Sequence, residues 1–82
     1  MILKELLERS EYTLVQGSED VEISTLVYDS RKIEKGSVFV CISGAAFDGH
    51  KFVAQAAELG AAAVIVEKDV EVPENLTVIK FD

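Results

Sequence analysis

Two short polar stretches hold the side chains with the means to do chemistry: Tyr28-Asp29-Ser30-Arg31-Lys32, and Gly44-Ala45-Ala46-Phe47-Asp48-Gly49-His50-Lys51. In the first, Ser30 offers one donor and two acceptors on a short side chain. Arg31 can pair with a phosphate or with Asp29. On residue types alone, a turn with a local Asp–Arg ion pair is the favoured reading. In the second, Gly44 and Gly49 have the spacing of a phosphate-binding P-loop. That motif continues with lysine, which reaches the phosphates, and with Ser or Thr, which binds magnesium. Here His50 and Lys51 stand at those positions, so the stretch is not read as a nucleoside-triphosphate loop. Gly44-Ala45-Ala46 is still small enough to turn backbone amides toward an anion. The residues by themselves favour a tight strand-to-helix connection, with Asp48 as the helix N-cap.

No catalytic residue and no metal site is expected. His50 is the single histidine, which argues against a ligand set or a triad. Cys41, the single cysteine, lies in an apolar run, where a thiol is usually an inert small hydrophobe. It also excludes an internal disulfide and suits a reducing compartment. Glu67, Asp69, Glu71 and Glu74 lie among apolar residues and read as a solvated loop face.

The elements that must position these stretches follow from periodicity. Ile2/Leu3, Leu6 and Leu7 mark one face of a short helix that ends near Arg9-Ser10. Val21, Ile23 and Thr25 alternate with Glu22 and Ser24 and run into Leu26-Val27-Tyr28, which predicts one strand of about 5–8 residues. Ser37 to Ile42 is β-branched and apolar, as in a buried strand. Phe52, Val53, Ala56 and Leu59 fall on one face of a helix after Asp48, and Gly60 is a natural C′ residue. Ala61–Val66 predicts a third strand and Leu76–Phe81 a fourth. Tyr12 has no informative context. Strand–helix–strand after Ser37 is a βαβ unit, so the expected fold is a small α/β domain. It has a mainly parallel sheet of about four strands and two helices. Both polar stretches then follow the carboxyl ends of strands, where ligands of such sheets bind.

Composition limits the partners. The 82 residues make one domain at most. The formal charge is −7, from 8 basic and 15 acidic residues, which disfavours nucleic acid and anionic membrane. Yet Arg31, Lys32, Lys35 and Lys51 face only Glu34 and Asp48 within residues 31–51, a local excess of positive charge near both stretches. No apolar run is long enough to span a bilayer and no secretory signal is apparent, so a cytoplasmic location is expected.

Taken together, Tyr28-Asp29-Ser30-Arg31-Lys32-Ile33, Gly36–Val40, Gly44, Phe47–Phe52, Ala56 and Gly60–Glu67 resemble the N-terminal domain of the Mur ligases. These are cytoplasmic ATP-dependent amino-acid ligases of peptidoglycan synthesis. Leu3–Leu7 and the Tyr-Asp-Ser-Arg form are most similar to the MurE type, which adds the third amino acid to UDP-N-acetylmuramoyl-L-alanyl-D-glutamate. The resemblance implies a Rossmann-like domain that holds the UDP end of the substrate. Ser30 matches the family's UDP-contacting serine, and Tyr28 falls where a neighbouring residue lines the nucleotide site. Ala45, Ala46 and Phe47 fall in a loop that approaches the nucleotide and diphosphate. Asp29, Arg31, Asp48, Gly49 and His50 match motif positions expected to shape the structure. The resemblance places ATP, Mg2+ and the amino-acid site in central and C-terminal domains beyond residues 1–82. Residues 1–82 are thus expected to bind substrate without catalysing. The whole enzyme would work through an acyl phosphate attacked by the incoming amine. Two alternatives stay open: the same domain of the D-alanyl-D-alanine-adding ligase, and a free-standing protein-interaction domain with no ligand.

Overall fold

In the computed structural model the described residues are 1–41, 49–68, 70, 72–73 and 76–81. Their order is α1 (Leu3–Leu7), β1 (Tyr12–Gln16), β2 (Leu26–Val27), β3 (Val38–Val40), α2 (Val53–Glu58), β4 (Ala63–Val66) and β5 (Thr77–Phe81). Turns of 3₁₀ helix cover Ser30–Lys32 and Gly49–Phe52.

Among the described residues the strands form one sheet in the order β1-β5-β4-β3-β2. The β2/β3, β3/β4 and β4/β5 pairs are parallel, and β1 runs antiparallel to β5. Successive residues of a strand point to opposite faces. Register converts that alternation into two apolar layers. Phe39, Val64 and Val78 lie side by side and pack toward α2 with Val53, Ala56 and Val66. Val38, Ala63, Ile65 and Ile79 face the other way and pack with Leu3, Leu7 and Ile23. Strands covered on both faces need apolar residues throughout, which explains the unbroken Ala63–Val66 run.

The sheet is thus mainly parallel, as expected, but it has five strands. The additional strand is β1. Its exposure does not alternate, Leu14 and Val15 are both exposed, and its register with β5 shifts between Leu14 and Gln16. A half-exposed edge strand with a bulge carries no period-2 signal.

The strand predicted over Val21–Tyr28 shrinks to Leu26–Val27. Its alternation has another origin: residues 19–25 cross the α1 face of the sheet. The amides of Leu3 and Ile23 donate to the carbonyls of Val21 (2.9 Å) and Met1 (2.8 Å), and Ile23 is buried there. A further correction concerns Leu59. It follows the last residue of α2 and is 45% exposed. Gly60 (φ +89°) reverses the chain there, and the Ala61 and Gly60 amides donate back to Ala56 and Ala57. This is a Schellman closure that excludes Leu59 from the buried helical face. Helix α2 proper begins at Val53, with no side-chain cap on Phe52. The capping role expected of Asp48 falls outside the described residues.

Candidate functional site

Strand β2 ends at Val27, and the chain turns at once through Asp29 into the 3₁₀ turn Ser30–Lys32. Asp29 makes that turn. Its Oδ1 accepts the Arg31 amide at 2.9 Å, and its carbonyl accepts the Lys32 amide at 2.9 Å. Arg31 then folds its side chain back: Nε donates to Oδ1 at 3.1 Å and Nη2 to Oδ2 at 2.9 Å. The hydrogen bond from this guanidinium, followed by that from the Arg31 amide, lowers the Asp29 carboxyl from 3.8 to about 2. The same pairing raises the Arg31 pKa. The local ion pair read from the residue types is therefore present, and it is exposed: the Arg31 side chain is 86% accessible.

Turning the chain this way leaves a cleft beside it. The cleft has a volume of about 690 Å³ and is lined by Tyr28, Asp29, Ser30, Arg31, Phe52 and Gln55. This size is in the range of small-ligand sites. It sits past the carboxyl end of β2, beside the amino-terminal end of α2, where open α/β sheets place ligands. Ser30 is buried in its wall, whereas Tyr28 stands 65% exposed at its edge. The chemistry available is one aromatic face at the rim, a second half-buried ring, a hydroxyl, a neutral amide and a guanidinium. That set suits a planar polar ring joined to an anion.

His50 has a structural role. It is buried, and its Nε2 accepts the Glu67 amide at 3.0 Å, which ties the Gly49–Phe52 turn to the end of β4. Gly49 is buried in the same turn. Ala45, Ala46, Phe47 and Asp48 lie outside the described residues. Among the described residues no group of three or more His, Cys, Asp or Glu side chains is placed to hold a metal. Cys41 is buried and is not in a disulfide.

The fold moves one of the basic residues of the 31–51 stretch away from the cleft. Lys35 stands at the amino end of β3, where the Gly36 amide donates to the Gly60 carbonyl at 2.8 Å beyond the far end of α2. The cleft uses the near end of that helix, so Lys35 is not part of it. Lys32 lines a smaller adjoining cavity of about 260 Å³ with Leu26, Val27, Tyr28 and Asp29. The expected gathering of basic residues near the two stretches is corrected for Lys35 alone.

Phe52 and Gln55 are the cleft residues that the sequence reading missed. Phe52, which the periodicity puts on the apolar helical face, does pack against the core, but its remaining surface faces the cleft. Gln55 is one turn further along and shares that side of the helix start. Its signal was a polar residue three positions after an aromatic, in the first turn of the helix that follows β3.

Comparison with known proteins decides the family. The profile described as "Mur ligase family, catalytic domain" matches residues 22–81. The chain belongs to the Mur ligase family. It is 45% identical over 80 residues to the UDP-N-acetylmuramoyl-L-alanyl-D-glutamate--2,6-diaminopimelate ligase of Clostridium perfringens, covering 98% of this chain and 16% of that protein. Among solved structures, a MurF from Acinetobacter baumannii superposes with a TM-score of 0.77 at 28% identity, covering 98% of this chain and 17% of the other. A MurF ligase from Thermotoga maritima in complex with ADP gives a TM-score of 0.57 at 33% identity, covering 66% and 13%. The Mur ligase domain thus spans about a sixth of the length of such relatives. No helix among its described residues is long and apolar enough to cross a membrane.

Proposed function

We propose that residues 1–82 are the UDP-holding N-terminal domain of a cytoplasmic ligase that adds the third amino acid to UDP-N-acetylmuramoyl-L-alanyl-D-glutamate in peptidoglycan synthesis. The observation that carries this is the cleft after β2, where Tyr28 and Ser30 meet Arg31, Phe52 and Gln55. Tyr28 offers its ring face to uracil. Ser30, buried in the wall, supplies a directional hydrogen bond that fixes the ribose or diphosphate end. Ala45, Ala46 and Phe47, outside the described residues, are kept as substrate contacts on the sequence resemblance alone. The Clostridium perfringens relative is a 2,6-diaminopimelate ligase, which favours diaminopimelate as the added residue.

The domain works by recognition: it holds the nucleotide so that the distant peptide carboxylate reaches the reacting groups. ATP and Mg2+ do not fit the residues present. The glycine-rich stretch lacks the lysine and hydroxyl of a P-loop, and no metal-ligand cluster exists among the described residues. Both belong to further domains, and no catalytic step is assigned here. The alternative, the D-alanyl-D-alanine-adding step of the Acinetobacter baumannii D-alanyl-D-alanyl ligase, is matched by the MurF structures only at the level of the family.

Ser30→Ala in the full-length ligase tests the reading. Loss of one hydrogen bond of this kind is expected to raise KM for the UDP-muramoyl substrate about three- to tenfold. KM for ATP and for the amino acid should not change. An unchanged KM for the UDP substrate would remove Ser30 from the site. Supplying diaminopimelate or D-alanyl-D-alanine with the corresponding UDP substrate separates the two steps.

A further inference from the structure

We infer that Arg31 is itself an anion-binding residue of the cleft, with Asp29 as the group that orients it. A guanidinium has five N–H donors in a fixed planar fork. Asp29 takes the side edge, through Nε and one hydrogen of Nη2. The end edge, formed by Nη1 and the second hydrogen of Nη2, has no partner among the described residues. Arg31 lines the cleft, and its side chain is 86% exposed. Two carboxylate oxygens, one of them also capping the Arg31 amide, define the plane in which the guanidinium lies. A planar group fixed on one edge presents the other edge in a defined direction.

The energetics suit this role. Exposed ion pairs contribute little to stability, typically about 0–1 kcal/mol. The side-chain pair therefore adds little stability beyond the turn that Asp29 closes on the Arg31 amide, and its geometry is open to another use. A phosphate oxygen on the end edge would gain charge-assisted hydrogen bonds, with Asp29 held behind the guanidinium. The aromatic and amide groups of the cleft would hold the neutral part of the same ligand. The matching ligand class is a nucleoside diphosphate, bound with its phosphates toward Arg31. Lysine cannot substitute, because a single ammonium lacks two separate donor edges.

This assignment rests on the nucleotide reading of the cleft, and the test separates the two. UDP and uridine are titrated separately into the wild-type chain, Arg31→Gln and Arg31→Lys, with binding followed by amide chemical shifts. Dispersed amide spectra verify that each variant is folded. Arg31→Gln and Arg31→Lys are each expected to weaken UDP about tenfold or more, as for loss of a charge-assisted bond. Uridine affinity should change by less than about twofold. Equal losses for both ligands, or no loss for UDP, would overturn the role of Arg31 while leaving the cleft reading intact. Failure of the wild-type chain to bind either ligand would overturn the cleft reading, and the role of Arg31 with it.

Discussion

In β4, Ala63, Val64, Ile65 and Val66 are all buried: β5 pairs with all four, β3 with Ala63–Ile65, and successive side chains pack alternately into the two apolar layers. In the turn after β2, Tyr28, Arg31 and Lys32 are exposed around one buried residue, Ser30. The first region is held by apolar area removed from water, the second by Asp29 accepting three donors from Arg31. Burial makes β4 intolerant of change. The turn keeps its shape through local hydrogen bonds and leaves its outer surface for a ligand. Stability and recognition are thus carried by different residues, so substitutions should separate them.

The largest effect is expected at Phe39, fully buried between β2 and β4. Phe39→Ala should destabilise the domain by about 3–5 kcal/mol, measured by urea denaturation. Tyr28→Ala, at an exposed rim position, should leave the urea midpoint unchanged and weaken ligand binding. A comparable loss of stability in Tyr28→Ala would break the separation.

His50 ties the turn that carries Phe52 to the end of β4. His50→Ala leaves the Glu67 amide without its acceptor, an expected cost of about 1–3 kcal/mol. Faster hydrogen exchange at the Glu67 amide would identify the cause. If that amide remained equally protected, the bond to Nε2 would not be what ties the Gly49–Phe52 turn to β4.

How much of this could be read from the sequence follows the same division. Val38–Val40, Ala63–Val66 and Val78–Ile79 announce themselves because burial on both faces demands continuous apolar residues. Strand β1 was missed because it is an edge whose exposure does not alternate. Val21–Thr25 misled because packing against α1 imposes the alternation a strand would show. At the site, Tyr28 to Arg31 were legible since a polar break after a strand is local information. Phe52 and Gln55 were not, because only the turn at Gly49–Phe52 brings them to the same cleft. Lys35 was misplaced since nearness in sequence says nothing about which end of β3 a residue occupies.

The smallest effect concerns pH. The Asp29 carboxyl is held at about 2 in the folded chain, below its ordinary 3.8. A depressed native value stabilises the folded state at pH above the ordinary value. That contribution declines as pH falls and is gone once pH passes below about 2. Because the pair is exposed, the change in overall stability should be slight. The carboxyl titration of Asp29, followed by carbon NMR, should move back toward 3.8 in Arg31→Gln. An unmoved midpoint would mean that Arg31 does not hold Asp29 in solution.

The most direct test of the nucleotide cleft is an amide chemical-shift titration of the 82-residue chain with UDP-N-acetylmuramoyl-L-alanyl-D-glutamate. Saturating shifts at Tyr28, Ser30, Arg31, Phe52 and Gln55, with β1 and the far end of α2 silent, are the predicted result. Shifts absent from the cleft, or clustered instead on the exposed residues of β1, would contradict it.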